Sequence, residues 1–306
     1  MSPSSDSADV AVEDVRTGAL APGGLALRAR ARSLRARVQP LLPLLRILGF
    51  AGAVAIVAYM GVRAAREVHP GDLSLLPLAL ALPAAATWWV LLARGWALLL
   101  AGRSSRADIG TWCRTQALRF LPGGIWAPAS RATIVQGGTL DKLSTVAAEN
   151  VLALAAALAI GGVGLAASGR LAYLALVPAI VAPLVASRWL QHRTRVAPAR
   201  TARATLNYIV AFLAYAASAV LVQAAVSGAA HPLAVAGAAA IAWAAGLVVV
   251  IAPSGVGVRE VVYVALLSGT LPRAQLAAAA VTMRLVMIVA ELGVLVLAGR
   301  PAGARR

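Results

Sequence analysis

In the segment 249–261, VIAPSGVGVREVV, an apolar run is stopped by Pro253, loosened by Gly255 and Gly257, charged at Arg259 and Glu260, and then resumed. Further along, Arg284 and Glu291 stand in another apolar run, at a spacing that puts them two turns apart on one helix face. An earlier segment, RFLPGGIWAPASR, has the same ingredients in Arg119, Pro122, Gly123, Gly124 and Arg131, and Glu149 follows in the next apolar run. A guanidinium in apolar surroundings grips oxyanions bidentately. A proline ends one helix, glycines allow an unwound turn, and the next short helix turns its N-terminal amides toward an anion. This combination could bind phosphate, with the carboxylates neutralising the cations when the site is empty. A second reading stays open: the charges form a structural salt bridge that holds the last helix against the Arg259–Glu260 turn, and 253–257 is a tight surface loop.

The elements that must position these charges follow from the solvent. Of the 306 residues, 60% are hydrophobic and 13% charged, and the mean hydropathy is +0.81, well above the roughly 45–50% apolar content of soluble domains. Apolar runs approach the ~20 residues needed to span a bilayer. The expected fold class is therefore all-α, a polytopic helical membrane protein. A net charge of +17 would suit nucleic acid if it lay on one soluble face. Instead the arginines cluster between apolar runs, at Arg28–Arg37 and Arg188–Arg203, where they orient helices and meet anionic lipid headgroups. No nucleic-acid partner is expected.

Full spans are expected at 44–62, 74–100, 143–167, 171–187, 205–227, 233–252 and 275–299, about seven in all, forming one transmembrane domain over 44–300. Residues 1–43 read as a cytoplasmic basic tail with no signal-peptide pattern, either wholly solvated or with a short amphipathic helix at 26–39 on the membrane surface. Residues 301–306 form a short basic C-terminal tail. The arginine clusters place the N-terminus and the 188–203 loop on the cytoplasmic side of the cell membrane. Two stretches, 108–130 and 253–272, are too polar or too glycine-broken for simple spans and are expected as interrupted or re-entrant half-helices, which survive at membrane depth only where protein or a cavity satisfies the freed backbone. Trp88, Trp89 and Trp126 read as packing or interface aromatics, and Gly161-Gly162-Val163-Gly164 as a close helix contact.

The two broken stretches resemble each other. Sliding the chain against itself until Trp112 falls on Trp243 also pairs Pro122 with Pro253, Gly124 with Gly255, and Gly138-Thr139-Leu140 with Gly269-Thr270-Leu271, in one ungapped register. An internal repeat of this kind puts interrupted segments at corresponding positions of two halves, with a binding site between them.

Other chemistries lack their residues. Cys113 is the only cysteine and the three histidines are far apart, so neither a disulfide nor a metal site is expected. No Gly-rich loop ends in Lys followed by Ser or Thr, and no nucleophile–base set is visible. Neither a cofactor nor an enzymatic activity is expected.

The segment APSGVGVREVVYVALL resembles the P-G-G-x-G-x-R-E signature of the lysylphosphatidylglycerol synthetase transmembrane-region family, the flippase-like membrane proteins. RFLPGGIWAPASR is similar to that family's earlier L-P-G…R segment, and Glu149 stands where the family often has Glu-Arg. The resemblance covers roughly residues 45–299. It departs at Ser254, in place of a glycine, and at Asn150, where Arg commonly follows Glu149. What the resemblance implies is movement of a membrane phospholipid or lipid-linked carrier between leaflets. On that reading Arg119, Pro122, Gly123, Gly124, Arg131, Glu149, Pro253, Gly255, Gly257, Arg259, Glu260, Arg284 and Glu291 line the headgroup path. The alternative is an accessory subunit that presents a lipid-linked substrate to a partner enzyme in the membrane, a glycosyltransferase or synthase. A membrane-embedded transferase is a third class.

Overall fold

The computed structural model describes residues 73–102, 104–116, 118, 126–134, 139–190, 197–228, 231–249 and 255–298, with isolated helical positions between 55 and 66. All lie within the compact unit Leu48–Arg306. Their regular structure is entirely helical. In chain order the helices are α1 Leu75–Ala101, α2 Arg106–Gln116, α3 Trp126–Ile134 and α4 Thr139–Ala167. A 3-10 helix, Leu171–Ile180, follows, and then α5 Ala182–Leu190, α6 Pro198–Ser227, α7 Pro232–Val248, α8 Val258–Leu267 and α9 Arg273–Ala298.

Four of these helices are long and apolar enough to cross a membrane: Leu75–Leu100, Ser144–Ala167, Pro198–Ser227 and Arg273–Leu297. They match four of the seven expected spans. The expected span at 171–187 is divided instead. Pro178 and Pro183 each remove an amide donor and crowd the preceding turn, and the chain runs as a 3-10 helix up to Ile180 before α5 begins. The expected span at 233–252 stops early, at Val248; Val249 already has ψ 86, and the 17 helical residues measure about 25 Å, short of a ~30 Å hydrocarbon core. The span expected at 44–62 is described only at residues 55, 58, 59 and 62, all helical. The tails 1–43 and 301–306 lie outside the described residues.

The core is built around α1 and α6. Trp88 meets Phe212 edge-on at 6.3 Å and Trp243 at 6.2 Å, and Phe212 meets Trp243 at 4.7 Å. Edge-to-face aromatic pairs of this kind add to the stabilisation from burial alone. Polar side chains of α6 bond carbonyls of α1 across the contact: Asn207 Nδ2 donates to Leu91 O at 2.6 Å, and Ser218 Oγ to Ala81 O at 3.0 Å. Such bonds hold helices together where burial from water does not drive association. Gly102 closes α1 with a left-handed φ of 72 and donates its N–H to Leu98 O, while Arg200 of α6 donates to Leu100 O at 3.2 Å.

The glycine run in α4 serves packing. A Cβ on Gly237 of α7 would lie 2.6 Å from Leu165 N and 2.9 Å from Gly161 O, and one on Gly164 would lie 2.8 Å from Gly237 Cα. A Cβ on Gly162 would lie 2.6 Å from Tyr173 O of the 3-10 helix. Only hydrogen side chains let these backbones approach so closely.

The broken stretches become short helices, and their limits recur at the offset seen in the sequence. Shifted by the step that carries Trp112 onto Trp243, α3 falls at 257–265, against the observed Val258–Leu267, and α4 falls at 270–298, against Arg273–Ala298. Shifted α2 falls at 237–247, inside Pro232–Val248. The order of one helix, a short helix and a long apolar helix is thus repeated in the chain.

Candidate ligand site: three cavities and two arginine–tryptophan pairs

The short helix α8 is set by its glycines. Gly255 and Gly257 have φ of 65 and 82, left-handed values that residues with a Cβ adopt only under strain. Glu260, in the first turn of α8, accepts the Gly257 N–H at 2.7 Å through Oε2, and its Oε1 accepts from Arg284 Nη1 of α9 at 2.5 Å. Glu260 is 3% exposed. The N-terminal amide expected to face an external anion is therefore already engaged by the chain's own carboxylate. Burial favours this, because an unpaired carboxylate here would cost several kcal/mol.

Arg259 points the other way. Its guanidinium lies over the Trp243 ring, 5.5 Å from the centroid, and its Nε is buried without a hydrogen-bond partner. Among the described residues no carboxylate forms an ion pair with it. Two glycines make room for its stem: a Cβ on Gly246 would lie 2.5 Å from Arg259 Cγ, and one on Gly255 would lie 2.9 Å from Nε. A cation held over an indole gains from the ring's negative face, and more so away from water.

A parallel arrangement occupies the first broken stretch. Arg131 of α3 lies over the Trp112 ring of α2, also at 5.5 Å. Its Nε is 3.0 Å from Glu149 Oε2 of α4, an ion pair whose N–H is not aimed at that oxygen. Trp112 Nε1 donates to Glu149 Oε1 at 2.8 Å, and Arg131 Nη1 donates to Gln116 Oε1 at 2.8 Å. Glu149 thus finds its arginine on a neighbouring helix, not at position 150, where Asn150 bonds Val146 O of its own turn.

Three cavities adjoin these groups. The largest of the three, about 270 Å3, is bordered by Arg259, Glu260 and Arg284 and by Trp88, Trp89 and Tyr215. The second, about 170 Å3, is bordered by both arginine–tryptophan pairs, Arg131 with Trp112 and Arg259 with Trp243, and by Glu149. The third, also about 170 Å3, is bordered by Glu291, Cys113, Trp112 and Trp89. Arg259, Trp88 and Trp89 border both the first and the second.

Of the residues singled out from sequence, Arg259, Glu260 and Arg284 come together at the first cavity. Arg131, Glu149, Gly255 and Arg259 come together at the second. Gly257 shapes the turn and borders none of these three cavities. Glu291 borders the third, so Arg284 meets Glu260 while Glu291 faces α2. Arg119, Pro122, Gly123, Gly124 and Pro253 lie outside the described residues. Sequence reasoning missed Trp88, Trp89, Trp112, Trp243 and Gln116 as cavity walls; the Trp112–Trp243 match at the repeat offset was the available signal. Among the described residues no three His, Cys, Asp or Glu side chains cluster closely enough to hold a metal ion.

The site belongs to a helical protein with four helices long and apolar enough to cross a membrane. Comparison with known protein families and with characterised proteins gives no match for this chain.

Proposed function

We propose that this protein is a multi-pass protein of the cell membrane, with a cytoplasmic N-terminus, that moves a phospholipid or a lipid-linked carrier between leaflets. It holds the phosphate of the headgroup at Arg259. The observation that carries this is Arg259, whose Nε is buried without a hydrogen-bond partner and which borders two cavities with largely apolar walls. An ionisable side chain among apolar helices at membrane depth is a functional-site candidate by default. The apolar remainder of the cavity walls, Ala239, Ala242, Ala279 and Met283 among them, suits acyl or prenyl chains. The short helices α3 and α8 are the re-entrant elements of this reading. The resemblance of APSGVGVREVVYVALL to the flippase-like lysylphosphatidylglycerol synthetase transmembrane-region family points the same way.

The test is headgroup translocation in reconstituted vesicles. Wild-type protein should move a fluorescent phospholipid between leaflets, and Arg259→Ala should abolish movement at equal membrane abundance. Arg259→Lys should recover part of it, because an ammonium cannot reproduce bidentate contact. Translocation by Arg259→Ala at the wild-type rate would remove the reading. If wild-type vesicles move no lipid but the chain copurifies with a membrane glycosyltransferase or synthase, the accessory-subunit alternative takes its place.

A further inference from the structure

Glu291 lies inside Arg273–Leu297, one of the helices long and apolar enough to cross a membrane, and the headgroup reading gives it no task. It borders the third cavity, beside the apolar side chains of Leu292, Val294 and Leu295. Among the described residues no arginine and no second carboxylate borders that cavity. Its walls are shared with the ligand cavities: Trp89 borders all three, and Trp112 and Gln116 border the second and the third. Trp89 Nε1 also donates to Met287 O at 3.1 Å, one turn before Glu291 on the same helix. Glu291 thus stands behind a shared wall from the cavities that Arg259 borders, and its charge acts on Arg259.

The helices packed against α9 are α1, α2, α6 and α8. From α2, Cys113 borders the same cavity as Glu291, and the Arg114 charge acts on Cys113. From α8, Arg259 and Glu260 border the first cavity, as do Arg284 of α9 and Tyr215 of α6, and Glu260 is paired with Arg284. What α1 contributes to the third cavity is Trp89, which does not titrate.

We propose that Glu291 is a proton-binding site linked to anion binding at Arg259: its carboxyl takes up a proton when the anion binds and releases it when the anion leaves. This rests on the lipid-anion reading above and adds a coupled ion to it. An ionised Glu291 lowers the positive potential at Arg259, and a protonated one does not. The anion therefore binds more tightly when Glu291 is protonated, and by reciprocity the bound anion favours the protonated carboxyl. The proton comes from solvent, is held on a carboxyl oxygen and returns to solvent, and only that O–H bond forms and breaks. Arg284 contacts Glu260, the neighbour of Arg259, and Glu291 lies two turns further along α9, about 10 Å. A unit charge at about 10 Å, at an effective dielectric constant of about 20, changes anion affinity roughly tenfold. Carboxylates within membrane helices serve such proton steps in transporters.

The full chain is purified in a nonionic detergent, and binding of dihexanoylphosphatidylglycerol, whose phosphodiester does not titrate in this range, is measured by calorimetry from about pH 8 to about pH 4. Buffers of different ionisation enthalpy report the protons exchanged on binding. Wild-type affinity should rise roughly tenfold as the pH falls, with uptake of up to about one proton per ligand. Glu291→Gln, which matches the protonated carboxyl in charge and shape, should hold the low-pH affinity throughout and lose that uptake. A second measurement needs no variant: dicyclohexylcarbodiimide, which attacks protonated carboxyls in apolar surroundings, should label Glu291 faster when the probe is bound. Binding without proton uptake, uptake that persists unchanged in Glu291→Gln, or labelling that the probe does not accelerate overturns the inference and leaves the lipid-anion reading standing. Failure of the probe to bind more tightly than the zwitterionic dihexanoylphosphatidylcholine at every pH overturns both.

Discussion

Trp112 and Trp243, which coincide when the two broken stretches are superposed in sequence, border the same cavity, and each lies under an arginine guanidinium at 5.5 Å. The two pairs differ in one respect. Arg131 also meets a carboxylate, Glu149, whereas Arg259 does not. The two arginine–tryptophan pairs thus differ in that, among the described residues, only Arg131 is in direct ion-pair contact with a carboxylate.

Gly246 offers a direct way to move Arg259 without removing it. A methyl group there would sit 2.5 Å from Arg259 Cγ and 2.6 Å from Nε, so Gly246→Ala should push the guanidinium off the Trp243 face. The backbone at Gly246 is helical, and alanine is favoured there by ~1 kcal/mol over glycine. That gain offsets part of the ~1–3 kcal/mol overpacking cost, so most of the stability should be kept while translocation falls. Vesicle assays beside thermal unfolding in detergent measure both; translocation at wild-type rates in a stable Gly246→Ala protein would show that the position of Arg259 is unimportant.

The Glu260–Arg284 pair calls for a double-mutant cycle. Removing one partner leaves a buried charge unpaired, which typically costs about 3–5 kcal/mol, so Glu260→Ala and Arg284→Ala should each lower the unfolding midpoint clearly. The double variant should lose much less than the sum of the two. The charge-reversed pair, Glu260→Arg with Arg284→Glu, should recover only part, because an arginine at 260 cannot accept the Gly257 N–H. Additive single effects would mean that the two side chains do not interact.

Much of this architecture was legible because bilayer-spanning helices are read from the length and purity of apolar runs. Leu75–Ala101 and Arg273–Ala298 lie within a few residues of the expected 74–100 and 275–299. The interruptions at 108–130 and 253–272 signalled short helices, since Pro and Gly in an apolar run leave backbone groups that need other partners. The partners of the charges were less legible. Helical periodicity puts Arg284 and Glu291 on one face, but the crossing of α8 over α9 decides that Arg284 meets Glu260. Arg131 and Glu149 stand on separate helices, α3 and α4, and no spacing rule joins them. The span expected at 171–187 rests on composition alone, and Pro178 and Pro183 are the signal for its division into a 3-10 helix and α5.

Trp112 tests whether the hydrogen bond or the ring matters more. Trp112→Phe removes the donor to Glu149 Oε1, now at 2.8 Å, and keeps an aromatic face beneath Arg131. Leaving a buried carboxylate oxygen without that donor should cost ~1–3 kcal/mol. Glu149→Gln in the Phe background should lower stability further, because it also takes the carboxylate from the buried Arg131 guanidinium. The unfolding midpoints of the wild type and the two variants decide this; a Trp112→Phe protein as stable as wild type would assign the stabilisation to the ring alone.

The crossing of α4 and α7 sets the position of Trp243, and Gly237 sets the crossing. A Cβ at this position would lie 2.6 Å from Leu165 N and 2.9 Å from both Gly161 O and Gly164 C. All three are backbone atoms of α4, so no side-chain rotation relieves the contact, and the helices must separate. Overpacking of this kind typically costs about 1–3 kcal/mol, and Gly237→Val should reach the upper part of that range or exceed it. The displacement should also carry α7 away from Phe212, which packs on Trp243 at 4.7 Å, and so shift the tryptophan emission. Gly269→Ala, with nothing within 4 Å of its added Cβ, is the control and should leave both the midpoint and the emission at wild-type values. Equal behaviour of the two variants would show that the glycine contact does not hold α7 in place.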